Sequence, residues 1–134
     1  MLGGGNLVGG ANPAGAGTTL NYIGNFCYGY SGQVATVGSN DMTLLEFETG
    51  REVLKVQMSM VTFGVTSEDF QYKINFNSQQ INEVYFVDSF DSYTEDSRNF
   101  FYIIPPYTKV KITGKSVGSG AGTIGAMIAG EIHA

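Results

Sequence analysis

Glu46 and Glu48 sit two residues apart in the run Thr43-Leu44-Leu45-Glu46-Phe47-Glu48, which reads as a strand. Residues i and i+2 of a strand share a face about 6.6 Å apart. Paired carboxylates at that separation can hydrolyse a glycosidic bond. A solvated strand face explains the same spacing more simply, since acidic side chains belong in water. The stretch Asp88-Ser89-Phe90-Asp91-Ser92-Tyr93-Thr94-Glu95-Asp96 offers several oxygens of the six to eight or so that calcium takes. It lacks the alternating Asp spacing and central Gly of an EF-hand, so it reads as a solvated loop. Its two aromatics, Phe90 and Tyr93, suit contact with a partner or a sugar ring. Gly120-Ala121-Gly122-Thr123-Ile124-Gly125 is a literal G-x-G-x-x-G, but nine residues follow it, too few for the helix and second strand of a dinucleotide site.

Nucleophilic chemistry has little to draw on. The one histidine, His133, is the penultimate residue, and a catalytic triad would rest on that frayed position. The one cysteine, Cys27, lies in the apolar run Phe26-Cys27-Tyr28 and reads as a buried, inert thiol. A lone cysteine also excludes a disulfide framework and a cysteine-based zinc site. With no metal cluster, P-loop or hydrolase elbow, the expectation is a protein that is not an enzyme and holds no cofactor or metal.

The elements that would position these residues follow from composition and periodicity. The 134 residues make one domain's worth of chain, large enough for a core without staples. Charged residues are 14% of the chain, against a usual quarter, and the net charge is −5. That acidic balance argues against nucleic acid, which demands a basic patch. Few charges and many Tyr and Phe suit a surface that meets other protein. No apolar stretch approaches the roughly 20 residues of a membrane span. The start lacks the pattern of a signal peptide and no Asn-x-Ser/Thr sequon occurs, so the expectation is synthesis in the cytoplasm without secretion.

Residues 1–19 differ from the rest. Seven of the first 17 are glycine, and no charged residue precedes Asp41. Such a segment cannot bury enough apolar area to offset its own ordering. It is expected to be an arm, flexible alone or ordered against a partner, with Leu2, Leu7 and Val8 as contacts that a plain linker would omit.

From Leu20 onward the chain reads as strands. Leu54, Val56, Met58 and Met60 alternate with Lys55, Gln57 and Ser59; Phe70, Tyr72, Ile74 and Phe76 alternate with Gln71, Lys73 and Asn75. Asn77-Ser78-Gln79-Gln80 reads as a turn joining the second run to a strand over Ile81–Val87. Further strands are expected over Asn21–Tyr30, Gln33–Val37, Thr43–Phe47, Asn99–Ile104, Lys109–Thr113 and Thr123–His133, with turns between them. The expected fold is all-β: an antiparallel β-sandwich, jelly-roll-like, of about eight strands over residues 20–134, preceded by the Gly-rich arm. An immunoglobulin-like sandwich is the alternative, but its buried Trp and Cys pair are missing.

Two runs, Thr43-Leu44-Leu45-Glu46-Phe47-Glu48-Thr49-Gly50 and Ile103-Ile104-Pro105-Pro106-Tyr107-Thr108-Lys109-Val110-Lys111-Ile112, carry a resemblance. The combination resembles small jelly-roll-like virion structural proteins of tailed bacteriophages, the capsid decoration (cement) or head-spike proteins. The resemblance implies a protein of the capsid surface that binds the major capsid protein, often as a homotrimer, with no catalytic residue. The alternative within that setting is a receptor- or glycan-binding head of a phage spike or fibre, with Phe90 and Tyr93 at the contact. Physically, Pro105-Pro106 ends a strand without leaving backbone donors unpaired and sets an extended corner.

Overall fold

The computed structural model describes residues 20–63, 69–86, 97–117 and 122–133. These form ten strands: β1 (Asn21–Ile23), β2 (Phe26–Tyr30), β3 (Val34–Ala35), β4 (Met42–Glu48), β5 (Val53–Phe63), β6 (Phe70–Phe76), β7 (Gln79–Phe86), β8 (Ser97–Ile104), β9 (Lys109–Ser116) and β10 (Thr123–His133). Sheet A runs β1-β2-β10-β5-β8, with β3 also pairing to β10; sheet B runs β4-β9-β6-β7. Every pairing is antiparallel.

Without the short β1 and β3, the other eight strands can be counted first to eighth. Sheet A then reads first-eighth-third-sixth and sheet B second-seventh-fourth-fifth. That order is the double Greek key of a jelly roll. The chain passes from one sheet to the other at the β3–β4, β4–β5, β5–β6, β7–β8, β8–β9 and β9–β10 connections, so its long-range pairs wrap the two sheets around one core.

That core comes directly from the alternation. Leu54, Met58, Met60, Ile74, Ile112, Ile124 and Ile128 are fully buried between the sheets, each worth roughly 1.5–3 kcal/mol of apolar burial. In β4 two consecutive residues, Leu44 and Leu45, are both buried. A bulge between Thr43 and Leu45 makes this possible, by setting two β4 residues against one of β9.

Several boundaries differ from the sequence expectation. The run Asn21–Tyr30 is two strands, because Gly24, at φ 59°, opens a two-residue turn with Asn25 and pairs Ile23 with Phe26. Glycine at the first turn position is what a type II′ hairpin requires. The expected turn of four residues after β6 contracts to Asn77-Ser78, both at positive φ, and Gln79 and Gln80 already belong to β7. Gln33–Val37 yields only Val34–Ala35. At the Pro105-Pro106 corner Tyr107 sits at φ 54°, and β9 begins at Lys109 as expected but runs on to Ser116. Thr123–His133 is a strand as expected, and it is central in sheet A, paired to β5 along its whole length.

Candidate functional site: the outer face of sheet A

The two outer faces of the sandwich have opposite character. On sheet B, Glu46 stands opposite Lys111 and Glu48 opposite Lys109, while Lys73 faces Glu83. A groove of about 440 Å3 runs here past Glu46, Glu48, Lys109, Lys111, Asn75 and Ser78. Both glutamates are exposed. Cross-strand pairs of opposite charge contribute a few tenths of a kcal/mol to about 1 kcal/mol each, and this face is a solvated charge ladder. The carboxylates that invite a glycosidase reading each stand opposite a lysine across the strand.

Sheet A carries few charges outside. Register places Ile23, Phe26, Glu131, Lys55 and Ile103 in one row across the five strands. The next row is Asn21, Tyr28, Ala129, Gln57 and Phe101, followed by Tyr30, Met127, Ser59 and Asn99. Phe101 is 80% exposed, Ile103 66%, Ile23 62% and Phe26 57%. Lys55 with Glu131, and His133, which lies 3.3 Å from Glu131, are the ionisable groups of this face among the described residues, apart from Tyr28 and Tyr30. Apolar side chains at such exposure, adjacent to one another, mark an interaction surface in a folded protein.

The face is relieved by a trough. Ala129 gives β10 almost no side-chain height between the aromatic ridge on β2 and Phe101 on β8, three strand spacings or about 14 Å away. The trough holds about 260 Å3 and is lined by Lys55, Gln57, Phe101, Ala129 and Glu131 among others. Gly130, the next residue, is on the opposite, inner side of β10, in register with Cys27 and Val56, and a Cβ there would collide with the carbonyl oxygen of Lys55. Tyr28 and Tyr30 stack along β2 at 5.3 Å between ring centres. The site is therefore flat, aromatic at its sides and polar in its floor.

The two runs that carry the sequence resemblance meet in space. Thr49 N–H donates to the carbonyl of Thr108 at 2.9 Å, and Thr108 N–H donates to Thr49 Oγ1 at 2.8 Å. Thr49 Oγ1 in turn donates to the carbonyl of Pro105 at 2.9 Å, and Tyr107 N–H to the carbonyl of Gly50 at 2.9 Å. The shared motif is thus a corner that pins the β4–β5 crossing to the β8–β9 crossing. It accounts for a rigid rim, and its role is in folding. Ser31 and Thr36 repeat the device: each donates its N–H to, and accepts on its hydroxyl oxygen from, the backbone of Ala126 and Gly122 respectively.

Of the contact residues read from sequence, Leu2, Leu7, Val8, Phe90 and Tyr93 all lie outside the described residues. Sequence reasoning missed the outer face of sheet A. Its signal was present in Phe26-Cys27-Tyr28-Gly29-Tyr30, where large residues alternate with small ones on the side away from the core, and in Phe100-Phe101-Tyr102-Ile103-Ile104, where apolar residues fill both faces of a strand. Cys27 is buried as expected, and burial pushes its thiol up to about 11. Behind it, burial, then the Glu52 carboxylate and Cys27, push the Tyr22 phenol up to about 12.

No family model and no curated protein matches the sequence. Solved structures share its shape. A family 35 carbohydrate-binding module from an environmental isolate aligns over 88% of this chain and 74% of its own, at 9% identity and a TM-score of 0.47. The family 35 module from Clostridium thermocellum aligns over 82% and 85%, at 11% identity and TM-score 0.47. A chain of the T13 particle of IBDV, a virus, aligns over 83% of this chain and 32% of its own, at 14% identity and TM-score 0.49. These are likenesses of overall form; the class, a jelly-roll β-sandwich, follows from the strand order itself.

Proposed function

We propose that this chain acts by adhesion and not by catalysis, as a structural protein of a virus particle that attaches to the capsid surface through the outer face of sheet A. The observation that carries the reading is a pair of exposed apolar clusters, Ile23 with Phe26 and Phe101 with Ile103, on a face where Lys55, Glu131 and His133 are the described Lys, Arg, Asp, Glu or His side chains. Aromatic and aliphatic side chains presented this way are the usual anchors of protein interfaces, and the only opposed charges between the two clusters among the described residues are Lys55 and Glu131. The resemblance of the Thr43–Gly50 and Ile103–Ile112 runs to capsid decoration proteins supports the choice of partner. The test is the composition of particles purified from a culture that carries the encoding genome, with the chain quantified by mass spectrometry against the major capsid protein. Copies comparable in number with the capsid protein support decoration. Absence from the particle overturns it. Phe26→Ser, at a position 57% exposed and far from the β8 edge, is expected to keep the fold and weaken attachment.

A second reading, a glycan-binding head, has one observation in its favour. The trough sets Phe101 beside Lys55, Gln57 and Glu131, an apolar wall over hydrogen-bonding groups on the scale of a sugar ring. Calorimetric titration with soluble oligosaccharides tests it. Saturable heat that Phe101→Ser removes favours this reading; no heat dismisses it.

A further inference from the structure

The four sheet edges are not treated alike. An edge strand presents unpaired backbone groups, and folded proteins blunt such edges by shortness, bulges or charge. In sheet B, β4 carries a bulge between Thr43 and Leu45 together with Glu46 and Glu48. The opposite edge, β7, carries a bulge where Ile81 is left over between Asn82 and Gln80, together with Glu83. At one end of sheet A, β1 is three residues long. The other end is β8, eight residues, paired to β5 in unbroken register from Ser97 to Val61 through Ile104 to Leu54. Its one charged residue is Arg98, at one end, and no proline interrupts it before Pro105. Phe100, Phe101, Tyr102, Ile103 and Ile104 give it the β-propensity of a central strand. Among the described residues, β8 is the edge that is neither short nor bulged, and its single charge sits at its start rather than along the strand.

We infer that β8 is an assembly edge and that a second copy of this chain covers it, β8 against β8 in antiparallel pairing about a two-fold axis. Self-pairing of β4 would bring Glu46 and Glu48 against their own copies, whereas self-pairing of β8 opposes no like charges within the strand, save for registers that meet at Arg98. For sheet A to continue across the axis, outward residues must oppose outward residues. The register centred on Phe101 then sets Phe101 against Phe101, Asn99 against Ile103 and Phe100 against Tyr102 of the second copy. It buries the most exposed large hydrophobic side chain among the described residues. On the inner side it covers the half-buried aromatic group of Phe100, Tyr102 and Phe76, whose rings lie 5.9–6.4 Å apart. The Gly-rich segment 1–19 is the poorer strand donor, because Gly, Ala and Asn dominate it. A closed two-fold pair uses both β8 edges at once and leaves neither free. It also differs from the three-fold assembly that the sequence resemblance implies.

The experiment is a charge exchange at the axis. Full-length chain is measured by light scattering after size exclusion, and by sedimentation over a concentration series, as wild type, as Phe101→Glu, as Phe101→Lys, and as an equal mixture of the two variants. Expected are a wild-type dimer of the 14.4 kDa chain, at least about tenfold weaker association of each variant alone, and recovery of the dimer in the mixture. Circular dichroism confirms that each variant is folded; should one not be, the double variants Asn99→Lys with Ile103→Lys and Asn99→Asp with Ile103→Asp, each alone and then mixed, repeat the exchange off the axis. A wild-type monomer or trimer overturns the inference. So does a dimer that survives both single substitutions, or a folded mixture that stays monomeric.

Discussion

The phenol oxygen of Tyr72 donates a 2.6 Å hydrogen bond to the carbonyl of Val61, and that bond crosses from sheet B to sheet A through the core. Tyr72 is fully buried and its ring stacks on Phe86 at 5.1 Å. The residue therefore both fills the core and ties its two layers. Tyr72→Phe keeps the ring and removes the donor. The expected cost is about 1–2 kcal/mol, read as a lower midpoint of urea unfolding with an unchanged slope.

The Thr49 corner is expected to be worth at least as much. Its hydroxyl accepts from Thr108 N–H out of water and donates to the Pro105 carbonyl at the half-exposed rim. Thr49→Val preserves the shape and leaves the buried Thr108 N–H unpaired, at about 1–3 kcal/mol. Thr49→Ser keeps the hydroxyl and should recover most of that stability. Equal loss in both variants would assign the effect to the methyl group.

Glycine positions separate close approach from backbone strain. At Gly130 a Cβ would meet the Lys55 carbonyl oxygen and the Val56 Cα at 2.1 and 2.6 Å, so Gly130→Ala must part β10 from β5. A loss of about 3 kcal/mol or more is expected. Gly24 has open space but φ 59°, and Gly24→Ala should cost about 1 kcal/mol. Thermal unfolding of the two variants side by side orders them.

Alkaline pH should unfold the protein in a defined window. The Cys27 thiol is raised by burial from 9.0 to about 11, and the Tyr22 phenol from 10.0 to about 12 by burial, Glu52 and Cys27. In each case the folded state holds its proton more tightly than the unfolded chain does. Stability is therefore unaffected by these groups below pH 9 and falls as pH rises from there towards 12. Cys27→Ala removes the lower part of the fall and Tyr22→Phe the upper part, measured as urea midpoints across the pH series. Among the described residues the hydroxyl of Tyr22 makes no hydrogen bond of ordinary geometry, so Tyr22→Phe is also expected to cost little at neutral pH.

The strands with clean alternation were legible because burial on one face imposes a period of two directly on the chain. β5 shows this residue by residue; β6 departs from it at Gln71, expected outside but buried, where its side-chain amide donates to the Glu83 carboxylate. The hairpin split at Gly24-Asn25 was legible too, since Gly-Asn is a two-residue hairpin signal, but it lies inside an apolar run that masks it. The bulge at Leu44-Leu45 was not, because two buried neighbours in a strand have no period to betray them. The outer face of sheet A could not be assembled from sequence for a related reason. Phe26, Glu131, Lys55 and Ile103 come from four separate strands, and only the register of β2, β10, β5 and β8 sets them in one row.

The sequence by itself determined the class of this protein: short alternating runs, turn residues between them and no helical period commit the chain to two packed antiparallel sheets around a core. It also determined that the surface would be poor in charge, since only 14% of residues can supply any. Tertiary structure decided where that poverty falls. Pairing places Lys73, Lys109 and Lys111 with Glu46, Glu48 and Glu83 on sheet B, and leaves sheet A and its β8 edge to Phe101, Ile103 and Phe26. The physical reason is that hydrophobic patterning acts within a strand, whereas the neighbours across a sheet are chosen by long-range register, which no local stretch of sequence contains.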